Sequence, residues 1–265
     1  MDLHIEDTGG TGRPVVLIHG WPLSAAAWEH QIPALTEAGY RVVSYDRRGF
    51  GRSPKPGEGF DYDTLAADLN KILEDLDLKD VTLVGFSMGG GEVARFIPNH
   101  GEDRLHSIVF ASAVPPYLLQ TDDNPDGPLT QDAADEFERN LKADRDAFFD
   151  GFTKDFFSAD DTLKVPEDER QKALTLCKMS SQDAAVGCME AWATTDFRDD
   201  LKAITVPTLV LHGTGDGVVP IDGSGHRTHK AVANSKLVEI DGAPHGCNVS
   251  HAKEWNSALL DFLKE

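Results

Sequence analysis

Short apolar runs rich in β-branched residues alternate along the chain with longer segments whose apolar residues recur at helical spacing. This alternation predicts parallel strands joined by crossover helices, and therefore an α/β fold. Most strand candidates are apolar almost throughout, as strands covered on both faces are. The predicted strands are Leu3–Glu6, Val15–His19, Arg41–Tyr45, Val81–Gly85, Ser107–Ala111, Thr208–His212 and Lys236–Ile240.

The same pattern predicts three of the helices. Apolar side chains recur at helical spacing over Leu65–Leu76, and either Asp61 or Asp63 stands where a capping residue is expected. A second helix is predicted from Met88 to a stop before Gly101, because glycine commonly ends helices. The last helix is predicted over Ala252–Leu263.

The alternation of predicted strands and helices stops between about Val114 and Asp199, where prolines are followed by helical, acidic and phenylalanine-rich segments. We expect residues 114–199 to form a helical cap inserted into a single domain that spans residues 1–265. Phe149, Phe152 and Phe156 share helical spacing, so they either line a substrate entrance or form the apolar underside of the cap. The second role is the commoner one, because a cap needs its own core.

Charge and cysteine content limit the classes of partner and compartment. The chain has 45 acidic and 25 basic side chains and a formal net charge of −20, a field that repels nucleic acids and anionic membrane surfaces. Three cysteines without a C-x-x-C pair indicate neither a disulfide framework nor a thiolate zinc site. With no signal-like start and no membrane-length apolar run, we expect a cytoplasmic protein, whose acidic surface is either ordinary or salt-adapted.

The strongest chemical signal is the segment Gly85–Gly89, which reads G-F-S-M-G. It has the G-x-S-x-G pattern and stands between a predicted strand and a predicted helix, where a sharp turn would present the hydroxyl of Ser87 above the sheet. Bulkier side chains two residues on either side of this serine would collide, so glycine is needed at both ends. Ser87 is therefore a candidate nucleophile.

A serine hydroxyl needs a histidine base held by a carboxylate, and both candidates lie downstream. Asp216 follows the strand predicted at Thr208–His212, and His245 follows the strand predicted at Lys236–Ile240. Both loops are at carboxyl ends, where open parallel sheets gather their sites. The chain order Ser, Asp, His is typical of α/β-hydrolases.

Other residues of these types have more ordinary interpretations. Asp241 is the alternative acid, whereas Asp222 follows a proline at a predicted helix start, where capping is the commoner role. His226 and His229 lack carboxylates at metal-binding spacing, so no metal site is expected. Cys247 lies close to His245 but has no ordered base, and we expect it in a pocket wall or in the core.

Two loops carry further candidates. His19-Gly20-Trp21-Pro22 follows a strand, so the backbone amides of Trp21 and Met88 are expected to form an oxyanion hole. The segment from Asp46 to Ser53 (DRRGFGRS) is expected to fix a turn through hydrogen bonds rather than to take part in chemistry.

The chain resembles the cofactor-free bacterial haloperoxidase, perhydrolase and aryl-esterase branch of the α/β-hydrolases over nearly its whole length. The resemblance is carried by VVLIHGWPL from Val15, YDRRGFGRS from Tyr45, VGFSMGGGEVAR from Val84, TTDFRDDL from Thr194 and GAPHG from Gly242. It implies a triad of Ser87, Asp216 and His245, an oxyanion hole of the Trp21 and Met88 amides, and no haem or metal cofactor.

The resemblance also implies a substrate class. Members hydrolyse small acyl esters, and in some of them hydrogen peroxide replaces water and yields a peracid that oxidises halide outside the protein. Pro22 is similar to a residue of the perhydrolytic members, and Val218 and Val219 are similar to acyl-pocket residues. A small acyl ester or carboxylic acid, with water or peroxide as acceptor, is the expected set of partners.

One departure and three alternatives stay open. Relatives usually have a strand before the segment matching Leu3–Glu6, so we expect seven or eight strands, and a homo-oligomer would be one way to cover an exposed edge. The same residues would also suit a lactam or amide hydrolase. A dehalogenase or epoxide hydrolase fits less well, because those families attack with aspartate, and a non-catalytic ligand receptor on this fold is the third alternative.

Overall fold

Nine strands form two sheets in the computed structural model, which describes residues 1–265. The strands are β1 (Ile5–Asp7), β2 (Pro14–Ile18), β3 (Arg41–Tyr45), β4 (Val81–Phe86), β5 (Leu105–Ala111), β6 (Ser158–Ala159), β7 (Thr162–Leu163), β8 (Thr208–Gly213) and β9 (Ser235–Ile240). The large sheet has the order β1-β3-β2-β4-β5-β8-β9, and β6 and β7 form a separate hairpin. Only β1 is antiparallel to its neighbour in the large sheet.

Eleven α-helices and two short 3-10 helices, Ala25–Trp28 and Ile221–Gly223, accompany the strands. None of the helices combines the length and the apolar character that a membrane span requires. The α-helices are α1 (Ile32–Glu37), α2 (Tyr62–Asp75), α3 (Met88–His100), α4 (Gln131–Ala143), α5 (Arg145–Phe156), α6 (Glu167–Lys178), α7 (Gln182–Thr194), α8 (Arg198–Lys202), α9 (Gly225–Ala231), α10 (Cys247–Ser250) and α11 (Ala252–Leu263).

The predicted α/β fold with a mostly parallel sheet of seven strands is confirmed. Of the two capping candidates for α2, Asp61 accepts the backbone N–H of Thr64 at 2.8 Å, whereas Asp63 lies in the first turn and binds Arg95. The capping role expected of Asp222 is wrong. It lies inside a 3-10 turn without a capping hydrogen bond, and its carboxylate binds the His226 side chain instead.

Residues 114–199, called the cap segment below, contain α4 to α7 and the β6–β7 hairpin. Aromatic side chains of this segment, from Phe137, Phe148, Phe149, Phe152 and Trp192, surround the ring of Trp21 with centroid distances of 5.1–6.3 Å. Buried side chains of the sheet and of the cap segment form one continuous apolar cluster. The division into a main body and a cap stays a prediction.

Candidate active site

Ser87 stands at the turn between β4 and α3 in a conformation that the flanking glycines permit. Its φ is +54° and its ψ is −117°, outside the regions that residues with a Cβ ordinarily occupy. A Cβ on Gly85 would lie 2.5 Å from the carbonyl oxygen of Gly89, and a Cβ on Gly89 would lie 2.5 Å from that of Ile18. Glycine is therefore required on both sides of the turn.

The structure brings the three predicted triad residues together. The Ser87 Oγ–H donates to His245 Nε2 at 3.0 Å, and His245 Nδ1–H donates to Asp216 Oδ2 at 2.7 Å. Asp216 follows β8 and His245 follows β9, so neighbouring parallel strands bring both loops to one edge of the sheet. All three side chains are buried. This arrangement can activate a hydroxyl as a nucleophile and move its proton.

The carboxylate of Asp216 is fully hydrogen-bonded. Its Oδ1 accepts the backbone N–H groups of Val218 and Val219 at 2.9 and 2.7 Å. Its Oδ2 accepts the Nδ1–H of His245 and also lies 3.3 Å from Nε2 of His212. Burial by itself raises the pKa of Asp216, but the two histidines outweigh burial and hold that pKa well below its usual range. The acid is thus held as a carboxylate.

His212 is the residue that sequence reasoning missed. It is fully buried at the end of β8, and its Nε2–H donates to the carbonyl of Val219 at 2.9 Å while lying close to Asp216. A carbonyl only accepts, so this nitrogen carries the proton. The signal that could have found it is a histidine-glycine pair at a strand end, which also occurs at His19-Gly20.

The amides expected to form the oxyanion hole are free to donate. Neither Trp21 nor Met88 donates its backbone N–H to another group of the protein. A Cβ on Gly20 would lie 3.1 Å from Cβ of Ser87, which shows how closely the loop after β2 passes the serine. His19 Nδ1–H donates to the Gly20 carbonyl at 2.9 Å and so fixes the peptide unit whose N–H belongs to Trp21.

A buried ion pair contacts the loop that follows β2. Arg47 pairs with Glu92 and also donates to the carbonyl oxygen of His19 at 2.6 Å. Burial lowers the pKa of His19 well below its usual range, and the positive charge of Arg47 adds to this effect. His19 therefore stays neutral and accepts the Arg47 backbone N–H at Nε2. These contacts agree with a turn-fixing role for the Asp46–Ser53 segment.

A cavity of about 490 Å³ opens at Ser87. Residues outside the cap segment contribute Trp21, Val218 and Val219 to its lining, and the cap segment contributes Leu118, Phe137, Phe152 and Trp192. Pro22, the remaining predicted substrate contact, is buried and joined to Trp21 by a cis peptide bond, but it does not line this cavity.

The three cap-segment phenylalanines divide between the two expected roles. All are buried, and only Phe152 lines the cavity. Phe149 packs on Trp21, and Phe156 packs edge-on against the imidazole of His245 at a centroid distance of 5.0 Å. The core role therefore holds for Phe149 and Phe156, and the lining role for Phe152.

The other candidates do not join the hydrogen-bond chain of Ser87, His245 and Asp216 through their side chains. Asp241 is exposed and reaches only the hydroxyl of Thr214, at 3.4 Å, so it does not hold His245. Cys247 is fully buried outside the cavity lining, and burial raises the pKa of its thiol to about 12. It is a core residue that stays protonated at neutral pH.

Two surface clusters combine histidine and carboxylates. His226 does have carboxylate partners, because Glu239 and Asp222 contact its two ring nitrogens at 2.7 and 2.8 Å and raise its pKa. The carboxylates lie on opposite sides of the ring, so they cannot share one ion. The side chains of Glu29, His30 and Glu169 do come within 4.8 Å of one another and could hold a metal ion. Lys172 Nζ already contacts both of these glutamates, however.

Comparison with known proteins identifies the family of this chain. A sequence model of the alpha/beta hydrolase fold matches residues 13–252. The chain belongs to this family. It is 42% identical over 259 residues to a non-heme chloroperoxidase of Kitasatospora aureofaciens, covering 97% of this chain and 94% of the relative. It is 36% identical over 267 residues to the bifunctional esterase/perhydrolase DCH of Acinetobacter calcoaceticus, covering 100% and 96%.

A solved structure shows the same likeness. The crystal structure of a bromoperoxidase from Bacillus anthracis superposes with a TM-score of 0.96 at 53% sequence identity, covering 98% of this chain and 95% of that one. The predicted membership in the haloperoxidase and esterase/perhydrolase branch is thereby confirmed.

Proposed function

We propose that the protein is a serine hydrolase of small acyl esters that also transfers the acyl group to hydrogen peroxide. The observation that supports this most directly is the hydrogen-bond chain from Ser87 through His245 to Asp216 beside a cavity with a mainly apolar lining. Relatives named as an esterase/perhydrolase and as non-heme haloperoxidases support the choice of ester and peroxide.

The first half of the reaction forms an acyl-enzyme. Ser87 Oγ attacks the ester carbonyl while His245 Nε2 takes its proton, and Asp216 stabilises the imidazolium that results. The negative charge on the former carbonyl oxygen is stabilised by the N–H groups of Trp21 and Met88. The C–O bond to the alcohol then breaks, and the alcohol leaves with the proton from His245.

The second half releases the acyl group. Water or hydrogen peroxide attacks the acyl-enzyme while His245 takes its proton, and the proton then returns to Ser87 Oγ as the ester bond to the enzyme breaks. Water yields a carboxylic acid, and peroxide yields a peracid. The proposal gives Val218 and Val219 the role of contacting the acyl group, because both line the cavity next to the acid loop.

The test combines a variant with two acceptors. Changing Ser87 to Ala should lower the turnover of an activated acetate ester by about 10⁴- to 10⁶-fold, because triad members act as one unit. Ser257→Ala, at an exposed serine on α11, is the matched control and should keep full activity. The wild-type protein should release acid in water and peracid in peroxide. Turnover by Ser87→Ala close to that of the wild type would refute the proposal.

A further inference from the structure

The cavity beside Ser87 is lined by three carboxylates that have no counter-charge. Asp155 lies near the end of α5, and Asp160 and Asp161 form the turn between β6 and β7. None of these side chains makes an ion pair within the protein, and no lysine, arginine or histidine lines the cavity. An incoming substrate therefore meets an uncompensated negative field.

Aromatic rings provide a second and independent feature of the same cavity. Trp21, Phe137, Phe152 and Trp192 contribute to its lining, with centroid distances of 5.1–5.9 Å from Trp21 to the other three. The faces of aromatic rings attract organic cations, and quaternary ammonium groups are the ligands that such sites typically bind. The same lining includes Ser87, so a charge on a bound ester would interact with these groups while the ester lies next to the serine.

We propose that this cavity selects esters by charge, so that an ester with an organic cation is preferred over its uncharged isostere and one with a carboxylate is disfavoured. This inference rests on the proposed function and names the substrate class of that site.

The expected size of the preference for the cationic ester follows from the known strength of exposed ion pairs. All three aspartates are exposed, and one such carboxylate changes the binding of a nearby charge by about 1.5- to 5-fold. Together they should give about a tenfold preference for the cationic ester at low ionic strength. The preference should shrink with salt, because the Debye length falls from about 30 Å at about 0.01 M to about 8 Å at about 0.15 M.

The decisive measurement uses two esters of the same shape. Acetylcholine carries a trimethylammonium group where 3,3-dimethylbutyl acetate carries a tert-butyl group, and kcat/KM is measured for both. The ratio should be about ten in the wild-type protein and should fall by about 1.5- to 5-fold for each carboxylate removed, in Asp155→Asn and in D160N/D161N. Asparagine suits the turn, because φ is +50° at Asp160 and +56° at Asp161.

Matched controls distinguish the effect of the cavity carboxylates from the effect of the net charge of the whole molecule. Asp103, before the amino end of β5, and Asp168, in the first turn of α6, are exposed and do not line the cavity. D103N and D103N/D168N change the net charge as much as the cavity variants do, and they should leave the ratio at its wild-type value. An equal fall in these controls, or a wild-type ratio near one, would overturn the inference.

Affinity provides a readout that does not depend on turnover. The two esters are titrated into the Ser87→Ala variant, and the cationic one should bind about tenfold more tightly at low salt. Equal affinities would again overturn charge selection. If Ser87→Ala instead hydrolysed both esters at the wild-type rate, the proposed function would fail while the affinity ratio still tested the cavity.

Discussion

His212 is the side chain through which the acid of the site is held in place. One N–H of this histidine serves both the Val219 carbonyl and the Asp216 carboxylate, and Val219 in turn donates its own N–H to Asp216. A buried donor of this kind keeps the loop after β8 in one conformation.

We predict that His212→Phe will lower kcat by about tenfold, because Asp216 loses a buried donor and the loop after β8 loses a contact that fixes its conformation. His212→Gln, which retains an N–H donor, should restore most of the activity. The kcat values of both variants are compared with that of the wild-type protein. A His212→Phe variant with the wild-type kcat would mean that His212 only fills space.

The site residues that the sequence predicts are those that a local pattern marks. Ser87 requires two glycines at fixed offsets, and His245 and Asp216 each follow an apolar strand. His212 has no such pattern, because its role depends on a loop that returns to it through Val219. Phe156 likewise contacts His245 only through tertiary packing.

At the scale of elements, burial decides what could be predicted. The seven strands of the large sheet were predicted to within two residues at each end, because apolar runs between polar loops mark them clearly. The helices of the cap segment could not be bounded in this way. In α4 only Ala134 and Leu141 are buried, so too few apolar positions mark where this helix begins and ends.

Helix α5 of the cap segment contacts the loop that holds His245. The carbonyl of Phe156 accepts the backbone N–H of Gly246 at 2.8 Å, and its ring packs on His245. A Cβ on Gly246 would lie within 2.6 Å of the Phe156 and Phe157 rings, so both rings pack directly on this glycine. The end of α5 therefore sets the position of the imidazole.

We predict that Phe156→Ala will lower kcat by about 10²-fold, because small displacements of a catalytic group are costly. Deleting a buried phenylalanine also destabilises by about 3–5 kcal/mol, so Phe262→Ala in α11 serves as a control with a similar packing loss away from the site. Both variants are compared by thermal unfolding and by kcat well below the melting temperature. Equal kcat values in the two would show that α5 does not position His245.

At the scale of the molecule, the order of the strands brings together residues that are far apart in sequence. The proposed nucleophile and base are 158 residues apart in sequence, yet their loops meet because β4, β5, β8 and β9 are successive neighbours in the sheet. The sequence predicts each strand but contains no signal for their register. Only the pairing observed in the fold brings Ser87 and His245 within 3.0 Å.

The same whole-molecule scale governs the response to salt. With a formal net charge of −20 at pH 7, repulsion among the acidic side chains opposes folding, and the surface ion pairs offset it only in part because exposed pairs contribute little. We therefore predict that raising NaCl from about 0.01 M to about 0.15 M at neutral pH, which cuts the Debye length from about 30 Å to about 8 Å, raises the melting temperature by a few degrees.

The control is the same protein near its pI of about 4.7, where the net charge is close to zero. There the repulsion to be screened is absent while attractive pairs between remaining carboxylates and lysine or arginine persist, so added salt should leave the melting temperature unchanged or lower it. Calorimetry at both pH values measures the two responses directly. A fall in melting temperature with salt at pH 7 would mean that attraction within the ion-pair network outweighs the excess of negative charge.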